Sequence, residues 1–301
     1  MLEKAKRLAL ERVLCVNCLG RMFGGLLTGL DNKSRGIFLL GVLSMELLSR
    51  AVLGDKRAER ELVKLAERYS DVEFLRRTVE RRGYRPNPPE NVCEICAGMS
   101  KGYKKVAELV IEKVREYEFE SFLIGVRVPT KVEIKEDEVK TSYKLQFAES
   151  LREEMSREIG KEVMRGLKGK KFDPVNPDLT VIVDPLSGLV EMRGKDLVIE
   201  GRGSFPEGRI FSPLCDSCGG KGCPSCNYTG KKRERTFEFL VGSKLLELTG
   251  GRKWRFSIKR EERDTFYFRF RISDPRRRRI PSKIDVNEKI KIFEMRVKDK
   301  T

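Results

Sequence analysis

All eight cysteines of the chain fall into four Cys-x-x-Cys pairs: Cys15/Cys18, Cys93/Cys96, Cys215/Cys218 and Cys223/Cys226. A Cys-x-x-Cys turn places two sulfurs on one side of a tetrahedral ion, so four pairs supply the ligands of two structural four-cysteine sites, and zinc is the expected metal. The second cluster is compact, Cys215-Asp-Ser-Cys218-Gly-Gly-Lys-Gly-Cys223-Pro-Ser-Cys226, and its glycines permit a double knuckle around one ion. The first site requires Cys15 and Cys18 to meet Cys93 and Cys96 across 74 intervening residues. Closing that loop would staple the N-terminal helices onto the downstream chain. Four thiolates leave no open coordination position, which argues against a catalytic ion. Disulfides are the competing reading, disfavoured in a reducing compartment.

The charge balance says what such a chain meets. It carries 63 Lys and Arg against 46 Asp and Glu, with no His, for a net charge of +17. A polyanion attracts that excess by counterion release and long-range steering. The longest apolar run, Gly36 to Leu48, is interrupted by Ser44 and Glu46 and is too short to span a bilayer. Met1 to Val13 lacks an apolar targeting core, so a cytoplasmic protein with no membrane contact is expected.

Periodicity gives an α+β chain in three blocks. Helices are expected over Met1 to Val13, from Asp31-Asn32-Lys33-Ser34 to Ser49, over Lys56 to Tyr69 and over Asp71 to Arg82, and these make residues 1–100 a helical Cys-paired region. Arg85-Pro86-Asn87-Pro88-Pro89 reads as a stiff extended loop. Residues 101–200 read as an α/β layer: a helix over Lys101 to Glu118, a strand over Ser121 to Val128, and weak strand character over Lys131 to Glu138. A long helix comes next with the ladder Phe147, Leu151, Met155, Ile159, Val163, then a near-continuous apolar strand over Leu179 to Val183, expected inside a sheet, and two short strands around Gly194. Residues 201–301 hold the four-cysteine knuckle and β-rich segments. There Phe266, Phe268 and Phe270 alternate with Arg269 and Arg271, giving one buried apolar face and one basic face.

Taken together, these motifs resemble the archaeal tRNA pseudouridine synthase that modifies adjacent uridines of the TΨC loop. Its opening motif is similar to Cys15-x-x-Cys18-Leu-Gly-Arg21, Phe23, Asn32 and Arg35-Gly36, and Cys93-x-x-Cys96 is similar to its partner knuckle. Phe122 to Pro129 resembles a THUMP strand, and Ser156-Arg-Glu-Ile-Gly-Lys161, Phe172 and Pro177-Asp178 also fit. The resemblance continues through the knuckle, Thr229-Gly-Lys231, Glu247, Thr249-Gly-Gly251 and Pro275-Arg-Arg-Arg278. It implies a helical Cys-paired region, a THUMP-like RNA-binding domain, and a small β-rich zinc-knuckle domain resembling part of a synthase core. It also implies a tRNA ligand.

Arg21, Arg35, Arg127, Lys161, Lys231, Lys232, Arg233, Arg276, Arg277 and Arg278 are the candidate RNA-binding residues. The family motif around the catalytic aspartate begins Gly-Arg-Glu-Asp, whereas this chain reads Lys259-Arg-Glu-Glu-Arg-Asp264. The family's Leu-Gly and Gly-Arg-Pro elements are missing, Asp264 is the one candidate catalytic residue, and 37 residues follow it. The expectation is a shortened tRNA-binding relative without its own catalytic site, paired with a partner or a second copy through an exposed edge of its C-terminal sheet. The rival readings are an active or split synthase and a ribosome-associated RNA-binding protein.

Overall fold

The computed structural model describes residues 1–27, 29–87, 92–206, 208–232 and 235–298. Pro88, Pro89 and Arg233, singled out in the sequence, lie outside them. The elements are α1 (Leu2–Glu11), α2 (Val16–Arg21), α3 (Asn32–Val52), α4 (Lys56–Arg68), α5 (Glu73–Glu80), α6 (Tyr103–Val114), β1 (Ser121–Val126), α7 (Thr130–Ser142), α8 (Leu151–Gly166), β2 (Lys171–Phe172), β3 (Leu179–Val183), β4 (Val190–Gly194), β5 (Leu197–Ser204), α9 (Phe237–Thr249), β6 (Lys253–Glu262), β7 (Thr265–Ser273) and β8 (Lys291–Val297). None of the described helices is long and apolar enough to cross a membrane. The chain is α+β, with two four-stranded sheets ordered β2-β1-β3-β4 and β6-β7-β5-β8. Its packing forms two compact units, residues 1–109, 124–165 and 182–190 in one and 110–123, 166–181 and 191–301 in the other. These interleave along the sequence, unlike the three consecutive blocks expected.

In the first unit, α3 and α4 start at carboxylate caps. Asp31 accepts from the Ser34 amide, and Asp55 accepts from the amides of Arg57 and Ala58. The helices bury their expected stripes, Leu39, Leu43 and Leu47 on α3 and Leu62 and Leu65 on α4, while Tyr69 is buried just beyond the end of α4. Helices α2 and α3 approach until only glycine fits: a Cβ on Gly20 would lie 1.8 Å from the Asn32 carbonyl, and one on Gly36 2.0 Å from the Val16 carbonyl.

Three local expectations change. Lys131 to Glu138 lies within the helix α7, not a strand. Its alternating Val132 and Ile134 imitate period two, but Glu136 and Val139, three residues apart, are the ones buried. The ladder Leu151, Met155, Ile159 and Val163 is buried on α8, yet Phe147 precedes that helix and is half exposed. The helix expected over Lys101 to Glu118 spans Tyr103–Val114. Leu179–Val183 does lie inside its sheet, between β1 and β4.

In the second unit, β5, β6, β7 and β8 are antiparallel, with Phe270 opposite both Ile199 and Phe256. Phe266, Phe268, Phe270 and Ile272 face the core with Phe237 and Val241 of α9, and Arg269 and Arg271 face away. The phenylalanines therefore serve packing, not base stacking. Strands β6 and β8 are the edges. Lys253, Arg255, Lys259 and Arg260 line β6, and charges of this kind oppose edge-to-edge pairing. That weakens the case for a partner docked along the sheet edge.

The glycine contact between α2 and α3 sets a test. Gly36→Ala should destabilise the protein by about 1–3 kcal/mol through overpacking. Denaturant unfolding would read it, and an unchanged midpoint would show that the two helices can separate without cost.

Candidate metal centres and the charges around them

The first cysteine cluster is assembled from two helical connections. Cys15 caps the N-terminus of α2, where its sulfur accepts from the Cys18 amide at 3.4 Å. Cys93 and Cys96 lie on the turn before α6, which is tied back to the α1–α2 connection. There the Glu94 amide donates to the Val13 carbonyl at 3.0 Å, and Arg12 pairs with the Glu94 carboxylate at 2.8 Å. The four sulfurs lie within 4.8 Å of one another, with Cys15 and Cys96 3.7 Å apart. A tetrahedron with metal–sulfur bonds of about 2.3 Å has edges of about 3.8 Å, so the donor set fits a single thiolate-loving ion. The Ser100 hydroxyl donates to Cys96 at 3.1 Å, and Tyr69 is buried nearby. Hydrogen bonding within the cluster draws the Cys93 and Cys96 thiols down and pushes those of Cys15 and Cys18 up, the pattern of sulfurs that share protons among themselves.

The second cluster forms on the loop between β5 and α9. Cys215 and Cys223 stand 3.9 Å apart, as do Cys218 and Cys226, and Cys223 and Cys226 are 3.8 Å apart. Amides aim at the sulfurs: Gly222 at Cys218, and Cys223 and Gly230 at Cys226, each at 3.2 Å. Burial works to raise the Cys226 thiol, but the Cys223 and Gly230 amides bring it down to about 6. The turn closes by pairing Leu214 with Lys231, and the Cys215 amide donates to the Gly230 carbonyl at 2.9 Å. Gly230 has φ of 74°, and a Cβ there would lie 2.3 Å from the Gly220 carbonyl, so no other residue suits that position.

Beside the first cluster lies an ion network, buried at Arg21, Glu136 and Glu154, that sequence reasoning missed. Arg21 Nη1 pairs with Glu136 at 2.7 Å and donates to the Glu149 carbonyl at 3.1 Å. Its Nε stands 3.2 Å from Glu154 Oε2, close but outside hydrogen-bond alignment. Its Nη2 donates to Cys18 Sγ at 3.5 Å. Asn17 and Asn32 satisfy the other Glu154 oxygen at 2.9 and 2.7 Å, and Lys140 reaches Glu136 at 2.7 Å. Burial raises the Glu154 carboxyl above the usual range, with Arg21 pulling the other way. The only sequence signal for this network was an arginine and two asparagines crowded around the first knuckle.

The expected RNA contacts therefore divide. Arg21 and Arg35 are buried, at 0% and 4% exposure, and cannot meet phosphates. Arg35 instead donates to the carbonyls of Leu26 and Leu30, each at 2.8 Å, and closes the α2–α3 loop. Arg127 and Lys161 are exposed in the first unit, Lys161 with Glu158 at 2.9 Å. In the second unit Lys231 pairs with Glu238 at 3.6 Å and Lys232 with Asp216 at 2.7 Å. Arg276 and Arg277 are exposed, and Arg278 is tied to the Lys195 carbonyl at 2.8 Å. Asp264 is exposed in the two-residue turn joining β6 to β7.

The archaeal Pus10 THUMP domain matches residues 106–184. Among similar curated proteins are three named tRNA pseudouridine synthase Pus10. The one from Pyrobaculum arsenaticum is 33% identical over 202 residues, 67% of this chain and 48% of that protein. That from Thermofilum pendens is 33% identical over 213 residues, covering 67% and 44%, and that from Methanopyrus kandleri is 33% identical over 238 residues, covering 77% and 51%. The chain thus spans about half the length of the curated relatives it matches.

Removing the central charge of the buried network should be severe. Arg21→Gln leaves Glu136 and Glu154 without their shared guanidinium, for an expected loss of about 3–5 kcal/mol in unfolding free energy. Chemical denaturation beside the surface variant Arg57→Gln would measure it. A loss no larger than that of the surface change would remove Arg21 from its structural role.

Proposed function

We propose that this relative of the archaeal tRNA pseudouridine synthase Pus10 is a zinc-stabilised tRNA-binding protein of tRNA modification or handling, without a catalytic site of its own. The observation that carries the reading is the THUMP domain over residues 106–184, in a chain of net charge +17. RNA recognised by overall shape is gripped through phosphates and 2′-hydroxyls, which suits a rigid scaffold bearing fixed cations. Exposed Arg127 and Lys161 beside the THUMP strands, and Arg276 and Arg277 on the second unit, are the proposed phosphate contacts.

Zinc is the proposed occupant of both clusters. Sulfur spacing near the tetrahedral value and amides aimed at the sulfurs support it. When bound, the ion supplies structural cross-linking alone, because four thiolates leave it no open position. Native mass spectrometry should find two zinc ions per chain, and Cys18→Ser or Cys226→Ser should each remove one. A chain mass lowered by disulfide formation would replace this reading.

The exposed turn that holds Asp264 supports the non-catalytic assignment. A carboxylate acting on an extruded uracil needs neighbours that fix its position and exclude water. The competing reading is uridine isomerisation in the TΨC loop, and it draws on the relatives' name. One pair of measurements decides between them. Purified protein should bind folded tRNA with affinity that falls steeply with salt, and should leave uridine unchanged. Pseudouridine formed by the wild type and lost in Asp264→Ala would establish the enzyme instead. Salt-insensitive binding would discard the tRNA reading altogether.

A further inference from the structure

We propose that the open face of the C-terminal sheet is a second RNA site, shaped for unpaired nucleotides, with Tyr267 and Arg202 as its stacking floor. Its ligand class rests on the tRNA-binding reading, but the contact lies outside residues 106–184.

Strand alternation decides which side chains reach that face. On β7 the even positions Phe266, Phe268 and Phe270 are buried, which turns Tyr267 to the opposite side, where it is 36% exposed. Arg202 of β5 is its register partner, and the Arg202 guanidinium lies 5.0 Å over the Phe293 ring. A tyrosine and a guanidinium that already lies over an aromatic ring sit side by side on one face. Both are surfaces on which an unstacked base can lie.

A cavity of about 390 Å³ opens over this floor, within the size range of small-molecule sites. Arg202, Lys259, Lys283 and Arg296 line it, against Glu200 and Glu294. Glu200 is 7% exposed and draws in Lys259 at 2.5 Å, Arg269 at 2.6 Å and Lys298 at 3.9 Å. Although burial opposes its charge, hydrogen bonds from Lys259 and Arg269 bring its carboxyl down to about 2. Four lining cations thus face two carboxylates, and the deeper carboxylate, besides holding Lys259, pairs with Arg269 and Lys298 outside the lining. Cations held in place around a stacking floor match a polyanion whose bases are free. A duplex keeps its bases inside the stack and offers nothing to Tyr267. An acidic protein segment would satisfy the charges but leave the exposed ring without a role.

The test measures fluorescence anisotropy with a labelled single-stranded oligoribonucleotide of about six nucleotides, within the usual footprint of such sites. The duplex of the same sequence and intact tRNA are measured in parallel. The single strand should bind better than the duplex. Tyr267→Ala should weaken it about tenfold, Tyr267→Phe should retain it, and Arg202→Gln should weaken it as well. Thermal unfolding of each variant shows that the fold persists, and Arg202→Gln serves if Tyr267→Ala does not fold. Absence of single-strand binding, equal or better binding of the duplex, or indifference to both weakening substitutions would overturn the proposal. If tRNA still binds in those cases, the tRNA reading stands without it. If neither RNA binds, both fall.

Discussion

The meeting of Cys15 and Cys18 with Cys93 and Cys96 is the constraint on which the N-terminal half depends. Helices α3, α4 and α5 lie between the two pairs, so bringing the sulfurs within 4.8 Å of one another fixes both ends of that bundle. An ion bridging the four sulfurs would remove much conformational freedom from the unfolded chain over this span. Four thiolates around such an ion would also concentrate negative charge in a dry environment. Arg21, with its Nη2 toward Cys18 and its other nitrogens toward Glu136 and Glu154, stands where it would meet that charge from the side of α7 and α8. The cluster, α2 and the helices that follow β1 are thereby one electrostatic assembly. A buried arginine of this kind is expensive in isolation and favourable only because several partners surround it.

In the second unit the same logic works through alternation. Putting every second residue of β7 against α9 builds a phenylalanine core and necessarily turns Tyr267, Arg269 and Arg271 outward. The strand pattern that makes the sheet stable therefore also gathers its positive charge on one face. Glu200 keeps that gathering from being purely repulsive, since one carboxylate is shared by three cations. The knuckle on the β5–α9 loop is a separate local fold, closed by its own amide–sulfur bonds and by the Leu214–Lys231 pairing.

Features with a short repeat were legible from residues alone. The four Cys-x-x-Cys pairs, the compact second cluster, the buried stripes of α3 and α4, the interior strand Leu179–Val183 and the two-faced β7 follow from spacing within a few residues, whereas the meeting of Cys15 and Cys18 with Cys93 and Cys96 spans 74 intervening residues. The sheet that contains Leu179–Val183 lies largely within the span matched by the archaeal Pus10 THUMP domain. What misled was local pattern without its context. Val132 and Ile134 look like strand residues, but α7 is a helix in which Glu136 is buried against Arg21. Arg21 and Arg35 look like phosphate ligands because they are basic and lie in the stretch that resembles the opening motif of a tRNA-modifying family. Each is spent inside the protein, one on carboxylates and a cysteine, the other on backbone carbonyls.

The sequence by itself determined the chemistry available: eight thiols in knuckle spacing, a large cationic excess, and strands that must have one apolar side. Cysteine spacing and period-two alternation are short-range, so they survive without knowledge of what packs against them. Only the tertiary structure decided which charges remain for a ligand. Whether the Arg21 guanidinium faces water or carboxylates depends on partners more than a hundred residues away, Glu136 and Glu154. No local pattern encodes that distance, because burial and pairing are settled by packing.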